Sequence, residues 1–174
     1  PVIMESPLRE GSLRAAAREV GTDILLFEAG EGLRFDEMAV RAGVAGILRV
    51  MRHMDMLPAK GIAKARAVPQ RCSASKWLRA PAGGLLRTFK GNGDVVVRGD
   101  VMAAVADPFG EAEQEIKAPF RGIVIGRAVL PVVNEGDAVF HLARVNSVAD
   151  AEGAVVDLNE QLAVDALFDE DEII

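Results

Sequence analysis

The chain has 174 residues, of which 50% are hydrophobic and 26% charged, and this length allows one medium domain or two small ones with real cores. No apolar run approaches the ~20 residues of a membrane-spanning helix. The net charge is −6, but the acidic residues are concentrated from residue 150 onward and the rest of the chain is mildly basic, so the concentrated basic face that nucleic acid requires is missing. A single cysteine, Cys72, cannot form an internal disulfide, which is typical of a reducing compartment and predicts a cytoplasmic protein. We interpret Cys72 as an incidental linker residue.

The first predicted elements are a helix, a strand and a second helix. In "EGSLRAAAREVG", Ser12 is a good N-cap and Gly21 stands where a left-handed C-terminal cap belongs. Residues 23–27, rich in Ile, Leu and Phe, predict a buried strand. Asp36 caps a longer helix that ends before Pro58. Apolar residues at helical spacing give this second helix one apolar face: Val40, Val44, Ile47, Leu48, Met51 and Met54.

This order of elements predicts an α/β layer, but one strand cannot close a sheet. We therefore interpret residues 1–57 as the C-terminal part of a larger α/β domain. An unpaired sheet edge near residues 23–28 favours pairing with another chain, so a homo-oligomer is kept as one alternative for the oligomeric state. Residues 58–72, with two prolines and several basic side chains, read as a linker.

Residues 73–145 predict an all-β domain built from an internal repeat. "RAPAGGLL" (79–86) returns as "KAPFRGIV" (117–124), and "GNGDVVV" (91–97) returns as "NEGDAVF" (134–140). Two such units are typical of a pseudo-symmetric β module. Trp77, at the entry to this domain, is predicted to be a core anchor. Residues 146–174 form an acidic C-terminal tail, with a short helix predicted around "VVDLNEQLAVDALF".

The β repeat resembles the barrel-sandwich fold of biotinyl and lipoyl carrier domains, which hold their prosthetic group on a lysine at a hairpin tip. The matching hairpin here is "ADPFGEAEQEI", and no lysine occurs between Lys90 and Lys117. Without that amine nothing can be acylated, so the carrier function is excluded while the fold is kept. A non-enzymatic β module that binds a partner is the alternative to an enzyme.

A second resemblance covers the first segment, from "EGSLRAAAREVGTDILLFEAGEG" to "MRHMDML". It resembles the back part of the succinylglutamate desuccinylase/aspartoacylase family, zinc-dependent amide hydrolases related in fold to the zinc carboxypeptidases. The resemblance implies a zinc-carboxypeptidase-like α/β catalytic domain followed by a barrel-sandwich-like β domain. It also implies hydrolysis of the amide bond of a small, anionic N-acyl substrate, with neither nucleic acid nor membrane as partner.

The family places a catalytic glutamate at a strand end, in a Glu-x-Gly setting, where it takes a proton from the attacking water and delivers it to the departing amine. The matching residue is Glu28 of "FEAG"; a glutamate that caps a helix or pairs at a turn is the competing interpretation. Glu31 lies past Gly30 and does not match; it is expected to be solvated or paired with Arg34. An arginine that binds the substrate carboxylate precedes the strand, and Arg18 matches its spacing, although Arg14 lies one turn earlier.

Zinc is the cofactor that the resemblance implies. The family holds it with a His-x-x-Glu motif and a later histidine, all N-terminal to the catalytic strand. This chain has only His53 and His141, neither with a glutamate at the required spacing. We therefore expect the zinc ligands to lie outside this sequence and the chain alone to be inactive.

Overall fold

The computed structural model describes residues 2–58, 60–62, 64–66 and 68–164, which divide into two compact units. Unit 1 comprises the described residues of Pro1–Ser6 and Val68–Val156, and unit 2 those of Pro7–Ala67 and Asp157–Ile174. Helices and sheets both occur, which confirms the coarse prediction of an α/β protein. In chain order the elements are β1 (Val2–Met4), α1 (Leu13–Glu19), α2 (Glu37–His53), β2 (Gln70–Cys72), β3 (Ser75–Arg79), β4 (Gly84–Thr88), β5 (Val95–Val96), β6 (Val101–Ala106), β7 (Glu113–Lys117), β8 (Gly122–Arg127), β9 (Val132–Val133), β10 (Ala138–Arg144) and α3 (Val148–Val164).

Both helices of the first segment begin where their caps predict. The Ser12 hydroxyl accepts a hydrogen bond from the Ala15 amide at 3.2 Å, and the Asp36 carboxylate accepts one from the Ala39 amide at 3.0 Å. Each bond satisfies one of the free amides at a helix N-terminus. Gly21 takes the predicted left-handed conformation, with φ +72°, just after α1. Local chemistry therefore sets the bounds of these helices.

The predicted strand over residues 23–27 is wrong for this chain. Within the described residues the segment pairs with no strand; Leu25, Leu26 and Phe27 are exposed, Leu25 to 84%, and Ile24 is half-buried. A strand exists only when a neighbour takes up its amides and carbonyls. The described residues of unit 2 form no strand that could do so.

The predicted apolar face of α2 is only partly covered. Val40, Val44, Ile47 and Met54 are exposed, Leu48 and Met51 are half-buried, and Ala45 is the buried residue of the helix. An apolar helix face is fully buried only against another layer, and the described residues of unit 2 cover this one only in part.

Unit 1 contains two four-stranded antiparallel sheets, with strand orders β3-β10-β8-β5 and β7-β6-β4-β9. Their buried side chains form one core, to which both sheets contribute. Its largest fully buried members come from β6, β8 and β10: Met102, Val124, Phe140 and Leu142. The core explains why the β unit holds together without any disulfide.

The internal repeat is confirmed, but the structure corrects its alignment. Strands β3–β6 form the first repeat and β7–β10 the second, so that the two sheets have equivalent orders. The Ala80 amide donates to Asp137 O at 2.9 Å, and the Ala118 amide donates to Asp100 O at 2.9 Å. "NEGDAVF" is therefore equivalent to "VRGDVMA" (97–103), not to "GNGDVVV".

Three Gly-Asp turns explain why the pattern was ambiguous. The carboxylates of Asp94, Asp100 and Asp137 each accept a hydrogen bond from the amide three residues earlier, at 2.8, 3.0 and 2.7 Å. The glycine before each aspartate has φ between +86° and +95°, which favours glycine. All three turns look alike in sequence, and strand pairing alone tells which two are equivalent.

The residues on either side of the β repeat are also structured. Gln70–Cys72, at the end of the predicted linker, forms β2, which pairs in parallel with β1. Cys72 is 2% exposed and packs with Ile123 and Ala151, so it is a core residue rather than an incidental one. Helix α3 occupies much of the predicted acidic tail and begins earlier than predicted. The rest of that tail, residues 165–174, lies outside the described residues.

Candidate functional site

Glu28 lies in the segment between α1 and α2 that forms neither helix nor strand, directly after Phe27. Its side chain is exposed, and within the described residues it makes no hydrogen bond or ion pair. Gly30 follows with φ +82°, and a Cβ there would lie 3.7 Å from the Cβ atoms of Asp36 and Ala39. The chain therefore turns close to the start of α2, and the Glu28 carboxylate is accessible to solvent.

The competing carboxylate, Glu31, forms an ion pair with Arg34. It accepts a hydrogen bond from the Arg34 guanidinium and is 20% exposed, against 73% for Arg34. This hydrogen bond, helped by the charge of Glu31, raises the pKa of Arg34. The pairing with Arg34 agrees with the sequence prediction and leaves Glu28 as the unpaired carboxylate of the turn.

Arg18 lies in the last turn of α1 with an exposed side chain. No hydrogen bond or ion pair of the described residues joins it to Glu28. Arg14, one turn earlier, is half-buried. The guanidinium of Arg18 is therefore accessible to an anion, but the chain itself does not bring the two predicted site residues into contact.

The two histidines do not assemble a zinc site. No three His, Cys, Asp or Glu side chains come together anywhere in the described ranges. His53 is exposed at the end of α2, while His141 in β10 hydrogen-bonds through Nε2 with Ser75 Oγ at 2.8 Å. The residues present do not fit the zinc that the family resemblance implies.

Trp77 is not the core anchor that the sequence predicted. It is 48% exposed and stacks on His141, with ring centroids 4.2 Å apart and planes 12° from parallel. The two residues are neighbours because β3 pairs with β10 in the register Trp77–His141. Sequence reasoning missed this aromatic pair, since only the long-range register brings the rings together.

The hairpin between β6 and β7 is the one that the carrier resemblance matched to a lysine-bearing hairpin. Its turn is built around Asp107, whose carboxylate accepts hydrogen bonds from the backbone amides of Phe109, at 2.7 Å, and Ala112. These amides, Phe109 first, lower the pKa of Asp107. The tip is therefore an ordered turn, and no lysine lies in it.

Both units take part in a structural likeness to solved proteins. A succinylglutamate desuccinylase from Silicibacter sp. TM1040 matches 83% of this chain with a TM-score of 0.70 and 23% identity. A product-bound structure of the ectoine utilization protein EutE (DoeB) from Ruegeria pomeroyi matches 82% with a TM-score of 0.71 and 22% identity. An aspartoacylase family protein from Mesorhizobium loti matches 84%, with a TM-score of 0.55 and 21% identity.

The chain has the fold of the succinylglutamate desuccinylase/aspartoacylase proteins. The resemblance predicted from "EGSLRAAAREVG" onward is thereby confirmed at the level of fold. No protein-family profile and no curated protein matches the sequence. The chain spans less than half of each of these three structures, between 43% and 45% of their length. Within the described residues, no helix has the length and apolar character needed to cross a bilayer.

Proposed function

We propose that this chain is part of a deacylase, a hydrolase that cleaves the amide bond of a small N-acyl molecule bearing a carboxylate. The observation that carries this proposal is the fold, which matches proteins named as a succinylglutamate desuccinylase and an ectoine utilization protein over more than four-fifths of the chain. We assign residues 1–57 to the end of a zinc-carboxypeptidase-like α/β catalytic domain. Residues 73–145 are assigned to a barrel-sandwich-like β domain.

In this proposal Glu28 is the general base and acid. Its carboxylate takes a proton from the attacking water and transfers it to the departing amine. Support comes from its place after an apolar segment and from its freedom from any partner in the described residues, whereas Glu31 is held by Arg34. Small residues follow at Ala29 and Gly30, so the backbone leaves room beside the carboxylate.

Arg18 is proposed to bind the substrate carboxylate. A guanidinium can make two parallel hydrogen bonds to a carboxylate, which also fixes the orientation of the substrate. Because Arg18 is exposed and unpaired within the described residues, it is available for this role. Zinc is the proposed cofactor of the complete enzyme, with ligands supplied by residues outside the 174 of this chain. The single cysteine supports a cytoplasmic location, where thiols stay reduced.

The test uses the longest natural polypeptide that contains these residues, assayed for release of free amine from N-acetyl- and N-succinyl-amino acids. Glu28→Gln is compared with Glu31→Gln, which removes the same charge three residues later. We expect Glu28→Gln to lower kcat by about 100-fold or more, the range for loss of a general base, and Glu31→Gln to keep most of the activity. Near wild-type turnover in Glu28→Gln rejects the assigned role.

Stability provides a control for this comparison. Glu28 is exposed and makes no described contact, so its substitution should change the free energy of unfolding by no more than about 0.5 kcal/mol. Loss of activity without loss of stability then points to chemistry. If the wild-type polypeptide hydrolyses no N-acyl substrate and cannot be loaded with zinc, the alternative of a non-enzymatic β-module binding protein is favoured instead.

A further inference from the structure

A surface cleft of about 530 Å³ in unit 1 has no part in the proposed hydrolysis. It lies where the turn after β5, the segment between β7 and β8, and the end of β10 meet. Its lining is rich in arginine: Val97, Arg98, Pro119, Phe120, Arg121 and Arg144.

The three arginines of this cleft carry positive charge that the described residues do not neutralise. Arg98, Arg121 and Arg144 have exposed side chains, and none of them forms an ion pair or a side-chain hydrogen bond there. Other exposed arginines of the same unit have partners: Arg71 pairs with Glu5 at 3.6 Å, Arg87 pairs with Glu113 at 3.0 Å, and Arg79 donates to Gly136 O at 2.7 Å. Three unpaired guanidiniums in one cleft of a chain with net charge −6 form a local anion-attracting surface.

Phe120 orders one of these arginines. The Arg144 guanidinium lies 4.1 Å from the centroid of the Phe120 ring, within the range of a cation–π interaction. This contact restricts the long side chain before any ligand arrives, so less conformational entropy is lost on binding. The guanidinium keeps its N–H donors at its edge, where they can reach an oxyanion.

The internal repeat supplies a comparison that separates folding from function. Ala80 and Ala118 make equivalent hydrogen bonds to the Gly-Asp turns at 137 and 100, so Phe120 and Arg121 correspond to Ala82 and Gly83. Arg98 and Glu135 each lie two residues before the aspartate of these equivalent turns, so they also correspond.

The strand ends complete the correspondence. Gly84 packs against Ala106 O and Gly122 against Ala143 O, which makes Arg144 equivalent to Asp107. At the equivalent positions of the other repeat, the same backbone thus carries small and acidic residues. The fold does not require the three arginines, so their clustering needs another explanation, whereas Phe120 also packs against the core of unit 1.

We propose that this cleft, here called the arginine cleft, binds a small molecule with two or more anionic oxygens, such as a phosphate ester, pyrophosphate or polycarboxylate. Arginine pairs bidentately with phosphate and carboxylate oxygens, and three arginines match a ligand that carries several of them. The inference is independent of the proposed hydrolase, because it rests on residues of unit 1 alone.

The test measures binding of pyrophosphate and of citrate to the 174-residue chain by calorimetry and by backbone-amide NMR shifts, at low and at physiological salt. We expect saturable binding, with amide shifts centred on residues 97–100, 120–122 and 144. Arg121→Ala and Arg144→Ala should each weaken binding by about fivefold or more, the scale of one charge-assisted contact at a partly exposed site. Arg121→Lys, which keeps the charge but loses the bidentate fork, should fall between wild type and Arg121→Ala.

The control is Arg87→Ala, which removes one positive charge from the same unit outside the cleft. It should leave affinity within about twofold, since that guanidinium is already paired with Glu113. Binding of pyrophosphate alone identifies a phosphate ligand, and binding of citrate alone a carboxylate ligand. Three results overturn the proposal: no saturable binding of either anion, shifts scattered over the surface, or an equal loss in Arg87→Ala.

Discussion

Gly122 is a position where the packing of the β unit leaves no room for a side chain. It opens β8, and a Cβ added there would collide with the carbonyl oxygen of Ala143 and lie 2.9 Å from Leu142 Cγ. That carbonyl belongs to β10, which is paired on both sides by β3 and β8, and Leu142 is fully buried. Neither group can move without disturbing the central strand of the sheet.

Gly122→Ala therefore forces a backbone shift in a packed core. We expect it to lower the free energy of unfolding by about 3 kcal/mol, the upper part of the usual range for overpacking. For a unit of this size, such a loss lowers Tm by about 10 °C or more. The matched control is Gly126→Ala in the same strand, where the added Cβ would meet only His141 Cβ at an ordinary 3.5 Å. It should change stability by less than about 1 kcal/mol.

The assay is guanidinium unfolding followed by tryptophan fluorescence. Trp77 is the sole tryptophan and lies in β3, beside the strand that Gly122→Ala disturbs, so the signal reports the β unit. We expect a lower midpoint with an unchanged slope, which marks a loss of stability rather than a change in surface exposure. A wild-type midpoint in Gly122→Ala, or equal damage from Gly126→Ala, would refute the packing argument.

Three further outcomes follow from local geometry. Gly46→Ala should stabilise α2 by about 1 kcal/mol in thermal unfolding followed by circular dichroism, since no atom lies within 4 Å of the added Cβ. Gly43→Ala should stabilise the helix clearly less, because its added Cβ would lie 3.0 Å from the Phe27 ring. Equal increases in stability in both variants would contradict this. The pKa of Asp107 is lowered, so the ionised carboxylate stabilises its turn above the unfolded pKa of ~3.9, and this stabilisation is lost as pH falls through the lower folded pKa. Amide hydrogen exchange at the turn, corrected for intrinsic rates, should therefore rise in that pH window. The same rise should be missing in Asp107→Asn. Burial raises the pKa of the Cys72 thiol, so alkylation at neutral pH should be at least about tenfold slower in the native chain than in guanidinium, and equal rates would show that the thiol is accessible.

Features that depend on neighbouring residues could be predicted from the sequence. The caps Ser12 and Asp36 lie where their side chains can reach the free amides of a helix start, whatever the rest of the chain does. The hairpin between β6 and β7 and the glycines of the Gly-Asp turns are local in the same sense. Glu28 and Arg18 were proposed from a resemblance, and the structure shows only that both side chains are accessible.

Features that depend on residues far apart in the chain could not be predicted from the sequence. Residues 23–27 have the composition of a buried strand, but an apolar composition is not a strand until another strand accepts its hydrogen bonds. The three Gly-Asp turns are alike in sequence, and only the pairing of Ala80 with one and Ala118 with another shows which are equivalent.

The amino-acid sequence alone determined the starts of α1 and α2, the presence of a two-fold β repeat, the missing carrier lysine and the family resemblance, because each is a pattern that can be recognised along the chain. Tertiary structure alone decided the stacking of Trp77 on His141 and the meeting of Arg98, Arg121 and Arg144 in one cleft. Those contacts join residues that are far apart in sequence. Their positions follow from strand register, which is set by the whole core rather than by any local motif.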